Sequence, residues 1–540
     1  MMQPLLLAVR ERTRTLSFAL AAVALFFAAL LTCGGEKPSW WQDAVFYEVF
    51  VRSFQDSNGD GIGDLNGLID RLDYLNDGDP ATSTDLGVTA LWLMPIMESP
   101  SYHGYDVVDY YNVDAAYGTN ADFQRLVDEA HERGMRVIID LVLNHTSIMN
   151  PWFIASLSRS SPYREWYVWS DVNPGDAGPW GEQVWHSRGG AFYYAIFWSG
   201  MPDLNYRNPA VTTRMFDVAR TWLLDRGADG FRLDAARHLI EDGASQADTP
   251  ATHFWLAGFN AAVKGWAPES YLVGEVWAEP EVIVPYLNHE VDQCFEFSLA
   301  EAIVSGVRDG APSRVSGALA RVLRLYPEGR FATFLSNHDQ ERVMSQVLGS
   351  GAKAKLAAAV LLTLPGTPFI YYGEEIGMTG TKPDERIRTP MQWAPSPADG
   401  FTTVIPWEPV QTDAASRTVG SQTTDASSLL STYRQFIRLR LGHAALRTGS
   451  TTLIDAGTAP LLGYVRTAGT ETLLVVHNFA SSPHPVAIRV PSLPAGTYGA
   501  VDLLVGGNAL PCTVDDTGTL RGLDMTIAPC GTIILDVSRT

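Results

Sequence analysis

Cysteine is scarce: the chain of 540 residues has 4. They form no CxxC pair and no His/Cys cluster, which excludes a zinc or dithiol redox centre of the usual spacing. Basic charge is short as well. Lys and Arg total 39 against 60 Asp and Glu, a formal net charge of −21. A chain this acidic repels nucleic acid and anionic membrane surfaces, so no polyanionic partner is expected. No GxGxxG opens a helix after the first strand signal, which weighs against a dinucleotide-binding open sheet. Internal repeats are absent too, which excludes a solenoid or propeller.

A long apolar run, residues 16–31, lies near the amino terminus. Arg10, Arg12 and Arg14 precede it, and Cys33-Gly34-Gly35 with a polar stretch follows. That is the order of a secretory signal. Leu30 to Cys33 resembles a bacterial lipobox, with Leu31 and Thr32 bulkier than its usual small residues. The first expectation is an exported lipoprotein anchored at Cys33, the second plain secretion, the third an uncleaved anchor. Membrane contact is expected only through such a lipid, and the protein is expected to be a monomer. Near the other terminus, Cys512 and Cys530 are close enough in sequence for an exported protein to oxidise them to a disulfide. Cys294 lies in an apolar strand signal and reads as a buried free thiol.

From Trp40 onward, strand and helix signals alternate. Strands are predicted at residues 44–54, 88–95, 136–143, 231–234, 271–276, 294–299, 331–335 and 368–372. Helices are predicted at 119–134, with Thr119 and Asp122 as a capping box, and at 211–227. Eight β/α units over this length predict a (β/α)8 TIM barrel at residues 40–445; an open doubly wound sheet is the alternative. The stretch 145–205, rich in Trp, Tyr, Gly and Pro, is too long for a plain loop and reads as a small inserted domain after the third strand. After residue 446 short alternating runs, such as 461–466, 472–477 and 486–490, predict a C-terminal antiparallel β-sandwich. The Thr/Ser/Ala-rich stretch 411–428 reads as a mobile loop.

The polar residues fall at strand ends. Asp140 and Asn144-His145 end the third strand, Asp234 the fourth and Glu275 the fifth, and Asn337-His338-Asp339 a later one. In a barrel these converge on the carboxyl-terminal face, where active sites are built. Arg232 and Asp234 share one strand face, so Asp234 is expected to stay ionised. Glu275 sits among Val273, Val276 and Trp277 with no cation nearby in sequence, so it is expected to stay protonated. One ionised and one protonated carboxyl equip a glycosidase. Asp56, Asn58, Asp60 and Asp64, with the Ile62 carbonyl, alternate as hard oxygen ligands suited to calcium.

These segments resemble the α-amylase family of glycoside hydrolases: DLVLNH, GFRLDAARH, VGEVW and FLSNHD match its main motifs in order. The resemblance implies Asp234 as nucleophile, Glu275 as general acid/base and Asp339 as the residue that distorts and holds the sugar. Arg232, His338, His103 and Tyr105 would line the same subsite. Arg237 and His238 stand where the family's amylases often carry Lys-His, the first aglycone-side contact. Asp106 and Arg388 match a pair that closes the non-reducing end in α-glucosidase-like members. MPDLN, residues 201–205, resembles a subgroup between α-amylases and oligo-1,6-glucosidases. The resemblance supports calcium at the Asp56–Asp64 loop and implies a second calcium site at Asn144, with a carbonyl near His238 and a carboxylate from the insert, for which Asp171 and Asp176 are candidates. The expected substrate is starch and related α-1,4-glucan, cut internally, since Trp180, Trp185, Tyr193, Tyr194 and Trp198 offer many stacking surfaces. Exo-acting α-glucosidase, oligo-1,6-glucosidase or transglycosylase action is the alternative. A non-catalytic glucan-binding or transporter-accessory role is a remote third, because all three carboxylates are kept.

Overall fold

Eight short parallel strands close into a barrel in the computed structural model. It describes residues 39–540 apart from 412–414, 457–459, 487, 491, 524 and 540. The signal segment and Cys33 therefore lie outside the described residues. The barrel strands are β1 (Phe46–Val49), β2 (Ala90–Leu93), β3 (Arg136–Leu141), β4 (Gly230–Leu233), β5 (Tyr271–Gly274), β6 (Gln293–Phe295), β7 (Phe331–Thr333) and β8 (Thr367–Tyr371). Each pairs with its sequence neighbours, and β1 closes on β8. Parallel strands covered on both faces read as continuous apolar runs, which is why their positions were predictable.

Alternate residues fill the barrel. Phe46 stacks on Phe369 at 4.3 Å, and Phe295 meets both Phe369 and Trp92 edge-on or tilted. Gly230 opens β4 because the backbones crowd there: a Cβ would lie 2.0 Å from the Tyr271 carbonyl oxygen. Strand register then sets Asp140 directly beside Arg232. The predicted sixth strand ends early. Glu296 caps the helix Phe297–Asp309 by accepting from the Leu299 N–H, so Phe297 and Leu299 are helical. The helix Asn120–Glu132 has both halves of the Thr119–Asp122 capping box and buries Phe123, Leu126, Val127 and Ala130.

The insert leaves after β3. Its three-stranded sheet comprises Trp169–Ser170, Trp185–Arg188 and Ala191–Tyr194. Both ends are tied to the barrel, His145 bridging Asp203 and the Leu204 N–H donating to the Asn144 carbonyl. Tyr193 and Tyr194 are buried and Trp185 is half-buried, so among the aromatics expected to stack on sugars only Trp180 and Trp198 are exposed.

The C-terminal part is a seven-stranded antiparallel sheet. At its junction with the helix Gly351–Thr363 lie two fully buried arginines, Arg440 of the helix Leu429–Gly442 and Arg466 of the sheet. Arg440 donates to the carbonyls of Leu362, Leu364 and Gly366, and Arg466 to those of Thr363 and Gly449. Here carbonyl dipoles at a helix end meet the charge. Burial lowers the two guanidinium pKa values to about 9 and about 10. One expectation is corrected. Cys512 and Cys530 are free thiols, bonded to different carbonyls, Tyr498 and Ala480. The stretch expected to be mobile holds a capped helical turn, Val419–Gln422, whose buried Gln422 bonds the Ile376 carbonyl and the Leu430 N–H. Cys294 is buried and free, as expected.

Candidate active site

Arg232 is the hub. It projects from β4, 1 % exposed, and its Nη1 donates to Asp140 at 2.8 Å and to Asp234 Oδ1 at 2.6 Å. Its Nη2 lies 2.8 Å from Glu275 Oε2. The Trp92 ring lies against the guanidinium, 5.3 Å away. Glu275 had no cation near it in sequence; adjacent strands bring it to the same Arg232 that pairs with Asp234. Burial raises the pKa of both carboxyls, and Arg232 opposes the rise in each.

A second chain of contacts runs through His338. Its Nδ1 lies 2.6 Å from Glu48 Oε1, and its Nε2 lies 2.6 Å from the Tyr105 hydroxyl and 3.2 Å from Asp339 Oδ2. Burial alone would lower the His338 pKa; Asp339 and Glu48 overcome it and raise it to about 9. Burial would likewise raise Asp339, but His338 and Arg388 hold it well below the usual carboxylate range. The Tyr105 hydroxyl also donates to Asp140, whose pKa burial pushes up to about 7. Three cations, Arg232, His338 and Arg388, thus face Glu48, Asp140, Asp234, Glu275 and Asp339. Burial pushes Asp140, Asp234 and Glu275 toward their protonated forms, and Arg232 opposes the shift in each.

His103 stacks beside Tyr105 at 6.0 Å and accepts its N–H. Asp106 and Arg388 do not pair with each other. Asp106 accepts from the Ser99 and Ser101 hydroxyls, while Arg388 Nη2 lies 2.8 Å from Asp339 Oδ1 and 3.4 Å from Asp384. Arg237 is engaged within the protein. Its guanidinium is ion-paired with Asp248, which Tyr286 also supports, and it donates to the Trp277 carbonyl at 2.7 Å. With His238 it lines a cavity beside Glu275.

Of the expected metal ligands, Asp56 accepts the N–H groups of Asn58, Gly59 and Gly61 and the Thr402 hydroxyl. Asn58 and Asp60 accept N–H groups of their own turn, and Asp64 caps the helix Leu65–Ile69. The donor set is hard oxygen throughout, but no three acidic or His/Cys side chains converge for a metal among the described residues. Asn144 fits better. Its Oδ1, Asp203 Oδ2 and Glu241 Oε1 are buried without hydrogen-bond partners. Burial and Glu241 raise the Asp203 pKa, and burial raises Glu241 to about 7. Orphaned acceptors of this kind suit a hard cation. Asp171 is instead an exposed ion-pair partner of Arg159, and Asp176 lines a cavity together with Glu241.

Sequence reasoning missed Glu48, Trp92, Asp203 and Glu241. Glu48 and Trp92 were findable, since they alternate with Phe46 and Ala90 on the faces that point into the barrel. Asp203 lay inside the MPDLN motif itself.

The sequence model for "Alpha amylase, catalytic domain" matches residues 48–449. The chain is 41% identical over 451 residues to alpha-amylase 3 of Dictyoglomus thermophilum, covering 82% of this chain and 86% of that protein. It is 34% identical over 523 residues to a trehalose synthase/amylase of Mycolicibacterium smegmatis, covering 84% and 86%. The crystal structure of an alpha-amylase from H.orenii superposes with a TM-score of 0.81 at 40% identity, over 91% of this chain and 99% of that one. The closed barrel, the ring of carboxyls at its carboxyl-terminal mouth and these likenesses lead to one conclusion: the chain belongs to the α-amylase family of glycoside hydrolases and transglycosylases.

Proposed function

We propose that the protein is an exported, retaining hydrolase that cuts internal α-1,4 bonds of starch and maltooligosaccharides. The observation that carries this is Asp234 and Glu275 held on the two amino groups of one guanidinium, with Asp339 facing them across the mouth. Sharing one planar cation holds the two carboxyls close together, the arrangement that retaining glycosidases use. Asp234 attacks the anomeric carbon while Glu275 gives its proton to the leaving oxygen. Glu275 then takes a proton from water, which displaces Asp234 from the glycosyl ester. Asp339, His103, Tyr105 and His338 hold the sugar ring.

Internal attack is favoured because Asp106 and Arg388 are each engaged elsewhere and form no wall between them. A cleft also continues on both sides of Trp277, on the aglycone side. Calcium is proposed at Asn144, Asp203 and Glu241 with a carbonyl near His238, and at the loop of Asp56, Asn58, Asp60, Ile62 and Asp64. The ion supplies stability there and takes no part in bond cleavage. Starch viscosity and iodine staining should fall long before reducing sugar accumulates. Glucose rising in step with substrate loss, with maltose as good a substrate as starch, would establish exo attack instead.

A further inference from the structure

Two side chains with unmet hydrogen bonds stand together at the amino-terminal end of the barrel, opposite the catalytic carboxyls. Thr451 and Arg466 are direct cross-strand partners on the sheet strands Ser450–Ile454 and Leu461–Ala468, so their side chains share one face. Arg466 Nε and Thr451 Oγ1 are both buried without hydrogen-bond partners. Both residues line a cavity of about 300 Å³. Its other walls include Leu323 and Tyr326 at the end of the helix Pro312–Leu325, Phe331 at the start of β7 and Pro365 just before β8.

The charge around this cavity is unbalanced. Arg466 is fully buried, and the bonds it makes go to carbonyls, Nη1 to Thr363 and Nη2 to Gly449. Arg440 is near enough to repel it, and its bonds go to carbonyls as well. Two buried cations thus sit among dipoles with, among the described residues, no carboxylate in ion-pair contact. Arg447 adds a third cation to the wall, but Asp43 already matches its charge at 2.8 Å. Glu328, the acidic group in the wall, is exposed. The Tyr326 hydroxyl is spent on Glu296. A ligand therefore meets one guanidinium edge, one hydroxyl and walls of ring and methylene. A neutral ligand would leave the buried charge unmatched. A bare inorganic anion would leave the apolar walls uncovered. A carboxylate on a flat apolar body answers both demands.

We propose that this cavity binds a small aromatic monocarboxylate, its carboxylate on Arg466 Nε and Thr451 Oγ1 and its ring among Leu323, Phe331 and Pro365. The chain carries a net charge of −21 and repels anions as a whole, so anion binding marks a local site. The ligand braces the barrel against the sheet and takes no part in the reaction at the opposite mouth.

Benzoate is the probe, titrated into the full-length enzyme at fixed ionic strength and followed by calorimetry and by melting temperature. It should bind one to one and raise the melting temperature with its concentration. Benzamide, of the same size without the charge, should bind at least about tenfold more weakly. Thr451→Val keeps the side-chain shape and removes a hydroxyl that has no partner within the protein, so the fold should stand while benzoate affinity falls about three- to tenfold. Starch hydrolysis should run at the same rate with benzoate saturating. No binding of benzoate, equal binding of benzamide, or wild-type affinity in Thr451→Val overturns the proposal. Inhibition of starch hydrolysis that tracks occupancy also overturns it, by placing benzoate at the catalytic mouth.

Discussion

His338→Gln isolates one buried charge and its pH dependence. In the folded protein His338 is fully buried between Glu48 and Asp339, and its pKa is raised to about 9. An unfolded histidine titrates near about 6.5, so the difference is worth about 3 kcal/mol at roughly 1.4 kcal/mol per tenfold step. The sign follows from the raised value. Below the unfolded pKa, both states carry the proton and the full increment stabilises the fold. As pH rises through about 9 the folded imidazolium is lost and the increment goes with it. Urea unfolding of the wild type and of His338→Gln at about pH 6 and about pH 9.5 measures this directly. The wild type should lose about 3 kcal/mol more than the variant over that interval. Groups that do not interact with His338, such as the depressed Arg440, affect both proteins alike and cancel, whereas Asp140, which His338 helps to hold down, narrows the expected difference. Parallel losses in the two proteins would refute the idea that His338 is held as a cation between two carboxylates.

Asp234→Asn should abolish turnover while keeping the fold and glucan binding, and near-normal activity would remove it from the nucleophile's role. Glu275→Gln should lose about 10²- to 10⁴-fold on starch but keep much of its glycosyl-enzyme formation from activated aryl glycosides, which need no proton; equal losses on both would reject the acid role. Chelation should lower the melting temperature before it lowers initial rates in the cold. Calcium at about a hundred times its Kd should restore about 3 kcal/mol to the wild type and much less to Asp203→Asn, by ligand linkage; identical responses would clear Asp203 of a metal role. Mass spectrometry of membrane-fraction protein should find a lipid on Cys33, with Cys33→Ala released or unprocessed; an unmodified terminus further along would favour plain secretion.

The barrel was legible because its strands are buried on both faces and the acidic residues of the site cluster toward the carboxyl ends of the apolar runs. Asp234, Glu275 and Asp339 stood out for that reason. What could not be read was sharing between strands. That Arg232 serves Asp140, Asp234 and Glu275 together depends on register across three strands. That Arg388 turns to Asp339 rather than Asp106 depends on a loop beyond β8. The insert was read by composition alone, which cannot tell the buried Tyr193 and Tyr194 from the exposed Trp180. Asp203 was passed over because one buried acceptor among many polar loop residues has no periodic signature.

The two arginines at the end of the helix Gly351–Thr363 bear on how far this chain can be divided. A catalytic barrel with a trailing sheet invites treatment as two exchangeable modules. Here the carbonyls of Leu362, Leu364 and Gly366 receive donors from Arg440 and that of Thr363 from Arg466, and Arg466 belongs to the sheet strand Leu461–Ala468. The Thr363 hydroxyl also joins Tyr464 of that strand, which contacts His477 of the next. A graft that replaced the sheet would need an arginine and a tyrosine at these same heights. Without them the exchange would leave a buried helix end open one step from the strand that closes the barrel on β1. For any exchange of parts, that joint makes the barrel and the sheet strand carrying Arg466 and Tyr464 one unit.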